Sequence, residues 1–211
     1  MTFSLFKSDI IKGLDVLNQK ASPSQIEQLC EFLRLMQEWG RVMNLTSIIE
    51  PRQMVARHIL DSLSIAPYLF ESPILDVGTG AGLPGIPLSI MYPDKKFTLL
   101  DKVNKRIQFL RHVKQILGLN QVELRTERVE SLTDIWFPCI VSRAFARIDK
   151  LIQSSGHLLS ERGRILAMTG PVSTEVLSAI PQGWVIKENI CLEVPWIERD
   201  HFLIWIEKYE Q

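Results

Sequence analysis

The sequence predicts an α/β fold: a largely parallel sheet covered on both faces, with an N-terminal helical extension and a C-terminal antiparallel strand pair. Three observations carry this. From Pro73 onward, short apolar runs alternate with helix-period segments, the rhythm of strand–helix–strand units. Before Pro73 the apolar residues recur at helical spacing. Near the end, residues 184–194 and 201–208 are both strand-like and are joined by a tight polar turn, Ile197-Glu198-Arg199-Asp200. The reading divides the chain into an extension, 1–70, and a main domain, 71–211, forming one compact unit.

Taken in order, the first clear helix start is Ser22, an N-cap followed by Pro23 at the first helical position and Gln25 to complete a capping box. Ile26, Leu29, Cys30, Leu33, Leu35 and Met36 form its apolar stripe, and Gly40 is expected to end it after Trp39. A loop, Asn44-Leu45-Thr46-Ser47, precedes a second helix opened by Pro51. Strands are expected at 73–77, 96–101, 121–125, 137–142 and 164–168. A helix follows the glycine-rich stretch after the first strand, another covers 103–117, a loop covers 126–136 and a helix covers 148–160.

Composition narrows the function classes. The chain has 211 residues, 46% of them hydrophobic, enough for a sizeable core. Lys plus Arg and Asp plus Glu both number 24, so no global charge draws the chain to nucleic acid or membrane. Cys30, Cys139 and Cys191 are far apart and form no C-x-x-C pair, so no metal is expected and a reduced, cytoplasmic setting fits. Asp9 interrupts the start before a long apolar run forms, which argues against a signal peptide. No run of about 18 apolar residues suggests a membrane span, and no internal repeat is visible.

The most informative stretch is 74–85, ILDVGTGAGLPG. Residues 80–85 match the G-x-G-x-x-G of dinucleotide sites. One register earlier the pattern is Asp76-x-Gly78-x-Gly80-x-Gly82. The two readings differ in charge. A dinucleotide site offers bare backbone and a helix N-terminus to an anionic pyrophosphate. S-adenosylmethionine has no phosphate, and it carries an ammonium and a positive sulfonium. A carboxylate at Asp76 suits that ligand and repels a pyrophosphate. The glycines let backbone pass close to it. Asp101 closes the second strand 23 residues after Gly78, where an acid accepts hydrogen bonds from ribose hydroxyls. Both nucleoside readings use it. The bland alternative is a glycine-rich turn with two solvated acids. The methyl-donor reading makes the fold a class I S-adenosylmethionine-dependent methyltransferase (Rossmann-like) fold.

With these residues in place, the chain resembles the bacterial small-subunit ribosomal RNA methyltransferase G family, also called glucose-inhibited division protein B. The resemblance runs from about Trp39 to Thr169. It rests on N44-L-T-S, R57-H-I-L-D-S, L75-D-V-G-T-G-A-G-L-P-G-I-P-L, F97-T-L-L-D, R106-I-Q-F-L-R, R128-V-E and S142-R-A-F. It implies methyl transfer to N7 of a guanine (position 527, in the 530 loop) of 16S rRNA, on the small ribosomal subunit or an assembly intermediate. It implies cofactor contacts at Gly78, Leu83, Val129, Glu130 and Arg143, with Val129 and Glu130 near the adenine. One departure is Thr169 in Ala167-Met168-Thr169-Gly170, where many relatives carry Lys.

The chemistry is consistent with that implication. Guanine N7 has a free lone pair and no proton to lose, so alignment matters more than acid–base help. Exocyclic-amine methylation commonly uses an Asp/Asn-Pro-Pro-aromatic loop after the fourth strand, and Ser142-Arg143-Ala144-Phe145 stands there instead. Pyrimidine C5 methylation needs a cysteine nucleophile. Cys139 lies early in its strand, away from the carboxyl ends where ligands gather, and reads as buried and structural.

Arg143, at the productive end of strand four, is the candidate catalytic positioning group. It is placed to hydrogen-bond guanine O6, a phosphate or the cofactor, the alternative being a surface salt bridge. Phe145 reads as either a stacking platform or core. Arg57, His58 and Asp61 share one helix face, either as an Asp61–Arg57 pair with a partly buried His58 or as a polar wall over the cofactor with Asn44 nearby. Lys102, Lys105, Arg106, Arg111 and Lys114 fall in a stretch without an acid, a candidate surface for RNA phosphates, with Arg34, Arg41 and Arg52 as possible extensions. A monomer is expected. The rival functions are an NAD(P)-dependent oxidoreductase and a non-catalytic RNA-binding module that keeps the fold.

Overall fold

The structure is a computed structural model and describes residues 2–43, 46–143, 147–173 and 180–209. Seven strands form one sheet in the order β3-β2-β1-β4-β5-β7-β6. They are β1 (Ile74–Val77), β2 (Phe97–Leu100), β3 (Val122–Arg125), β4 (Phe137–Arg143), β5 (Leu159–Thr169), β6 (Trp184–Leu192) and β7 (His201–Lys208). The first five are mutually parallel, and β7 runs antiparallel to both β5 and β6. The order reverses between β1 and β4. In such sheets that switch point opens a crevice beyond the strands' carboxyl ends, where ligands bind.

β1 and β2 are buried at every position, as strands covered on both faces must be. Helices α5 (Gly85–Met91), α6 (Asn104–Leu117) and α7 (Ile148–Ser155) provide the β1–β2, β2–β3 and β4–β5 crossovers, and the β3–β4 link carries only a 3-10 turn over Val129–Ser131. α6 ends at Gly118, whose φ of 68° places it in the left-handed cap conformation.

Residues on both sides of position 71 share one hydrophobic cluster, running from Phe6 and Leu33 to Leu110 and Leu203. The capping box forms as expected. Gln25 Oε1 accepts from Ser22 N at 2.8 Å and Gln25 N donates to Ser22 Oγ at 3.2 Å. Gln25 Nε2 also donates to the carbonyls of Ile90 and Met91, and Gln28 Nε2 to that of Leu117. The extension thus satisfies carbonyls that the ends of α5 and α6 leave without helical partners.

The structure differs from the sequence expectation in four places. Helix α1 (Thr2–Val16) lies within the expected helical extension but ahead of its first clear start at Ser22, and its Phe6, Ile10 and Leu14 recur every four residues and are buried. Helix α2 (Pro23–Met43) runs through Gly40. A glycine ends a helix where it turns left-handed, and Gly40 keeps a negative φ. The expected helix over 148–160 stops at Ser155, and β5 begins at Leu159 through a polar stretch that conceals its start. The link between β6 and β7 spans 193–200 and tucks Val194 into the core, so it is longer than the four-residue turn.

The second helix of the extension has an unusual centre. Glu50 caps it, accepting from Arg52 N and Gln53 N. Between α3 (Pro51–Met54) and α4 (Asp61–Leu63) the backbone adopts a π turn over Val55–Leu60. Such turns carry one extra residue and occur often at functional sites. Asp61 N donates to Ala56 O here, and the Arg57 carbonyl, its α-helical acceptor, is released for another donor.

Candidate active site

The glycine loop hangs from the ends of β1 and β2. Gly78 N and Thr79 N both donate to Leu100 O. Gly78, Gly80 and Gly82 take φ of 70°, 59° and 91°, values glycine tolerates at no steric cost. Their surroundings differ. A Cβ on Gly82 would lie 2.5 Å from Ile86 and 2.7 Å from Leu110, and one on Gly85 would lie 2.7 Å from Asp76 Oδ2. A Cβ on Gly80 would meet only Gly78 O, at 3.9 Å. Gly82 and Gly85 therefore serve inward packing, and Gly80 presents open space to a ligand.

Asp76 lies beneath this loop and is fully buried. Its Oδ2 accepts from Thr79 Oγ1 at 2.6 Å and Gly85 N at 2.9 Å. Burial pushes its carboxyl up to about 6, against the pull of those two donors. The other oxygen, Oδ1, has no partner among the described residues. One half of the carboxylate holds the loop, and the other is a buried acceptor without a donor, the feature expected where a cationic ligand group completes a site.

Asp101 is the second anchor. Its Oδ2 accepts from Gly80 N and from Arg106 Nη1, both at 3.0 Å, and its Oδ1 accepts from Val103 N at 2.8 Å. Beside it is a cavity of roughly 180 Å³ lined by Gly78, Leu100, Asp101, Arg106, Val129 and Glu130, among others. It joins apolar Val77, Leu100 and Val129 to charged side chains, among them the acids Asp101, Glu127 and Glu130, and an apolar floor with carboxylate acceptors fits the nucleoside part of S-adenosylmethionine. Leu83 packs beneath the loop in the core. Arg106, assigned from sequence to RNA phosphates, is an ion-pair partner of Asp101.

On the other side of β1 lies a second cavity of roughly 320 Å³, lined by Ile48, Arg57, His58, Asp61, Arg143, Met168, Thr169, Gly170, Leu192, His201 and Phe202. Arg143 reaches into its wall from β4. Its Nη1 donates to the Arg57 carbonyl at 2.6 Å and to Asp61 Oδ2 at 2.9 Å. Asp61 Oδ1 contacts His201 Nδ1 at 2.9 Å. The expected Asp61–Arg57 pair does not form: Arg57 Nε donates to Gln53 Oε1, and Arg143 and His201 take the two Asp61 oxygens. His58 is buried, with Nε2 3.1 Å from Thr46 Oγ1. Burial chiefly, with the Arg143 charge second, pushes its imidazole down to about 4. His201 was missed in the sequence, because nothing local ties the first residue of a C-terminal strand to a helix 140 positions earlier.

The remaining candidates are less gathered. Lys102, Lys105 and Arg111 are exposed on or just before α6, and Lys102 also lines the nucleoside cavity. Arg34 pairs with Glu31 and Glu38, and Arg52 with Asp9 while lying over the Trp196 ring, so both are locally neutralised. Asn44 and Phe145 lie outside the described residues, as does the side chain of Arg41. Cys139 is buried opposite Ile74, far from the strand's carboxyl end, and burial pushes its thiol up to about 11. Thr169 ends β5 at the edge of the second cavity.

Comparison with known proteins shows the family and the fold. The family model described as rRNA small subunit methyltransferase G matches residues 25–203. A ribosomal RNA small subunit methyltransferase G of Shewanella frigidimarina is 40% identical over 193 residues, covering 91% of this chain and 94% of its own. One from Marinobacter nauticus is 39% identical over 212 residues, covering 100% and 99%. Among solved structures, the glycopeptide N-methyltransferase MtfA complexed with (S)-adenosyl-L-homocysteine superposes with a TM-score of 0.58 at 11% identity, covering 71% of this chain and 86% of its own. That likeness concerns the fold.

Proposed function

The chain belongs to the rRNA small subunit methyltransferase G family, and on that premise we propose that it methylates N7 of a guanine in 16S rRNA with S-adenosylmethionine as donor. The observation that carries the geometric side of this reading is the division of the crevice by β1. The glycine loop and nucleoside cavity occupy the β2 side, and the Arg143 cavity occupies the β4 side. Donor and acceptor can thus be held apart and brought together over the end of one strand.

Bound S-adenosylmethionine supplies a methyl group made electrophilic by its sulfonium. The residues supply position. Gly78 and Gly80 leave room for the donor, Asp101 faces its ribose, and Val129 and Glu130 flank its adenine. Arg143 orients what sits at the mouth of the second cavity. N7 carries no proton, so the wall needs no base for it. Methylated at N7, the guanine ring is cationic, and Asp61 balances the Arg143 guanidinium in the cavity wall, so that the pair adds no net positive charge against it. Exposed Lys102, Lys105 and Arg111 face the solvent where phosphates pass. The substrate is the small ribosomal subunit or an assembly intermediate, and the enzyme acts in the cytoplasm as a monomer.

The test is to incubate small subunits from an unmethylated strain with tritiated donor and map the modified guanine. Label at one N7 is expected. No transfer under conditions where a close relative works favours a non-catalytic RNA-binding module. Calorimetry that finds NADH binding without S-adenosylmethionine binding returns the glycine loop to the oxidoreductase reading.

A further inference from the structure

We propose that His201 is a positioning residue for this reaction, acting through Asp61 to fix the guanidinium of Arg143. The proposal rests on the methyltransfer reading above and assigns a role to a residue that no local motif marks.

The topology brings His201 to the site. β7 is antiparallel to β5, and Phe202 pairs with Thr169. The first residues of β7 therefore lie beside the carboxyl ends of the parallel strands, where the crevice is. His201 Nδ1 stands 2.9 Å from Asp61 Oδ1, and Asp61 Oδ2 accepts from Arg143 Nη1 at 2.9 Å. Three separate elements, β7, α4 and β4, meet through one carboxylate whose side chain is 5% exposed.

The arrangement restricts two rotations. A carboxylate turns easily about its terminal torsion, because that sp³–sp² well is broad. Bonds to different partners on its two oxygens set its plane. Arg143 is then held at one end only. A guanidinium has five N–H groups, and the two on Nη1 go to Asp61 and the Arg57 carbonyl. The three on Nε and Nη2 donate to none of the described residues and remain for a ligand. With His201 lost, Asp61 keeps one bond and its plane is free to turn, and the outer edge of Arg143 turns with it. His201 needs to donate a hydrogen bond for this and need not exchange a proton.

The experiment compares His201→Ala, His201→Asn, Arg143→Ala and the double variant His201→Ala/Arg143→Ala. Methyl transfer to small subunits gives kcat and KM, calorimetry with S-adenosylhomocysteine gives affinity, and thermal melts check the fold. An asparagine amide can donate where Nδ1 does but cannot relay a proton. We expect His201→Ala to lower kcat about tenfold, the scale of one charge-assisted hydrogen bond, with the melting point nearly unchanged. His201→Asn should recover most of the loss, and the double variant should be no slower than Arg143→Ala. Wild-type kcat and affinity in His201→Ala overturn the proposal. So does a His201→Asn enzyme as slow as His201→Ala, which makes the histidine a proton carrier, or a double variant whose losses multiply. A wild-type protein that binds S-adenosylhomocysteine but labels no rRNA overturns the methyltransfer reading instead. In that case a His201→Ala affinity matching wild type overturns the relay as well, and one reduced in the direction of Arg143→Ala supports it.

Discussion

The two halves of the crevice are built at different ranges along the chain. On the glycine side, Asp76 bonds partners three and nine residues away, and Asp101 bonds one 21 residues away. On the Arg143 side, the bonds span 82, 86 and 140 residues. The first half is a local device that a βα unit carries wherever it folds. The second exists only when the extension, β4 and the antiparallel C-terminal strand have all docked. Their buried ionisable groups also respond oppositely to burial: an acid, Asp76, is pushed up to about 6 and a base, His58, is pushed down to about 4. Both are driven toward neutrality.

The largest expected effect breaks the long-range half. Arg143→Ala should reduce methyl transfer on the order of 10- to 100-fold, the equivalent of losing a charged hydrogen-bond donor. Steady-state transfer to rRNA checks it, and an unchanged rate removes Arg143 from the site. The next prediction addresses the local half. Gly80→Ala forces an alanine into left-handed φ at a cost of about 1–2 kcal/mol and points a methyl at the ligand. Cofactor affinity measured by calorimetry should fall more than tenfold. Gly82→Ala should instead show its main effect in thermal stability, because its Cβ meets Ile86 and Leu110.

A third prediction sets the halves against each other. Folded Asp76 holds its proton more tightly than the unfolded chain, so its contribution to stability falls as pH rises from 3.8 to about 6. Folded His58 releases its proton more readily than the unfolded chain, so its contribution is lost as pH falls from 6.5 to about 4. The two slopes oppose. Urea melts across this window should show Asp76→Asn gaining stability with pH relative to wild type, and His58→Gln losing it, each by roughly 1–3 kcal/mol. Parallel profiles for all three proteins would refute the pairing. The smallest effect belongs to the surface. Lys105→Ala should weaken rRNA binding modestly and lower the log–log salt slope by about 1, if Lys105 touches a phosphate.

What could be read in advance follows the same division. The strands β1 to β4, the glycine loop and the capping box at Ser22 are written in short windows, and each formed where those windows placed it. Arg143 stood out because it follows a strand at its productive end. Its partners did not. The spacing of Arg57 and Asp61 suggests a pair, but partners 82 and 140 residues away, Arg143 and His201, take both Asp61 oxygens. Arg106 looked like one more surface cation until Asp101, five residues earlier, claimed it. Helix propagation through Gly40 and the early start of β5 at Leu159 run against their local residues, a helix-ending glycine and the polar Ser160-Glu161-Arg162.

The spare carbonyl of Arg57 has a consequence for how this enzyme could be stabilised. Deleting one residue from 55–60 would let the helix close its regular ladder, and a screen for heat resistance should favour such a shortened chain. The same change would return that carbonyl to the helix's own ladder and take it away from Arg143. Hardier descendants selected this way should therefore come out poorer catalysts, since the irregular residue trades robustness for a hand-hold on the arginine.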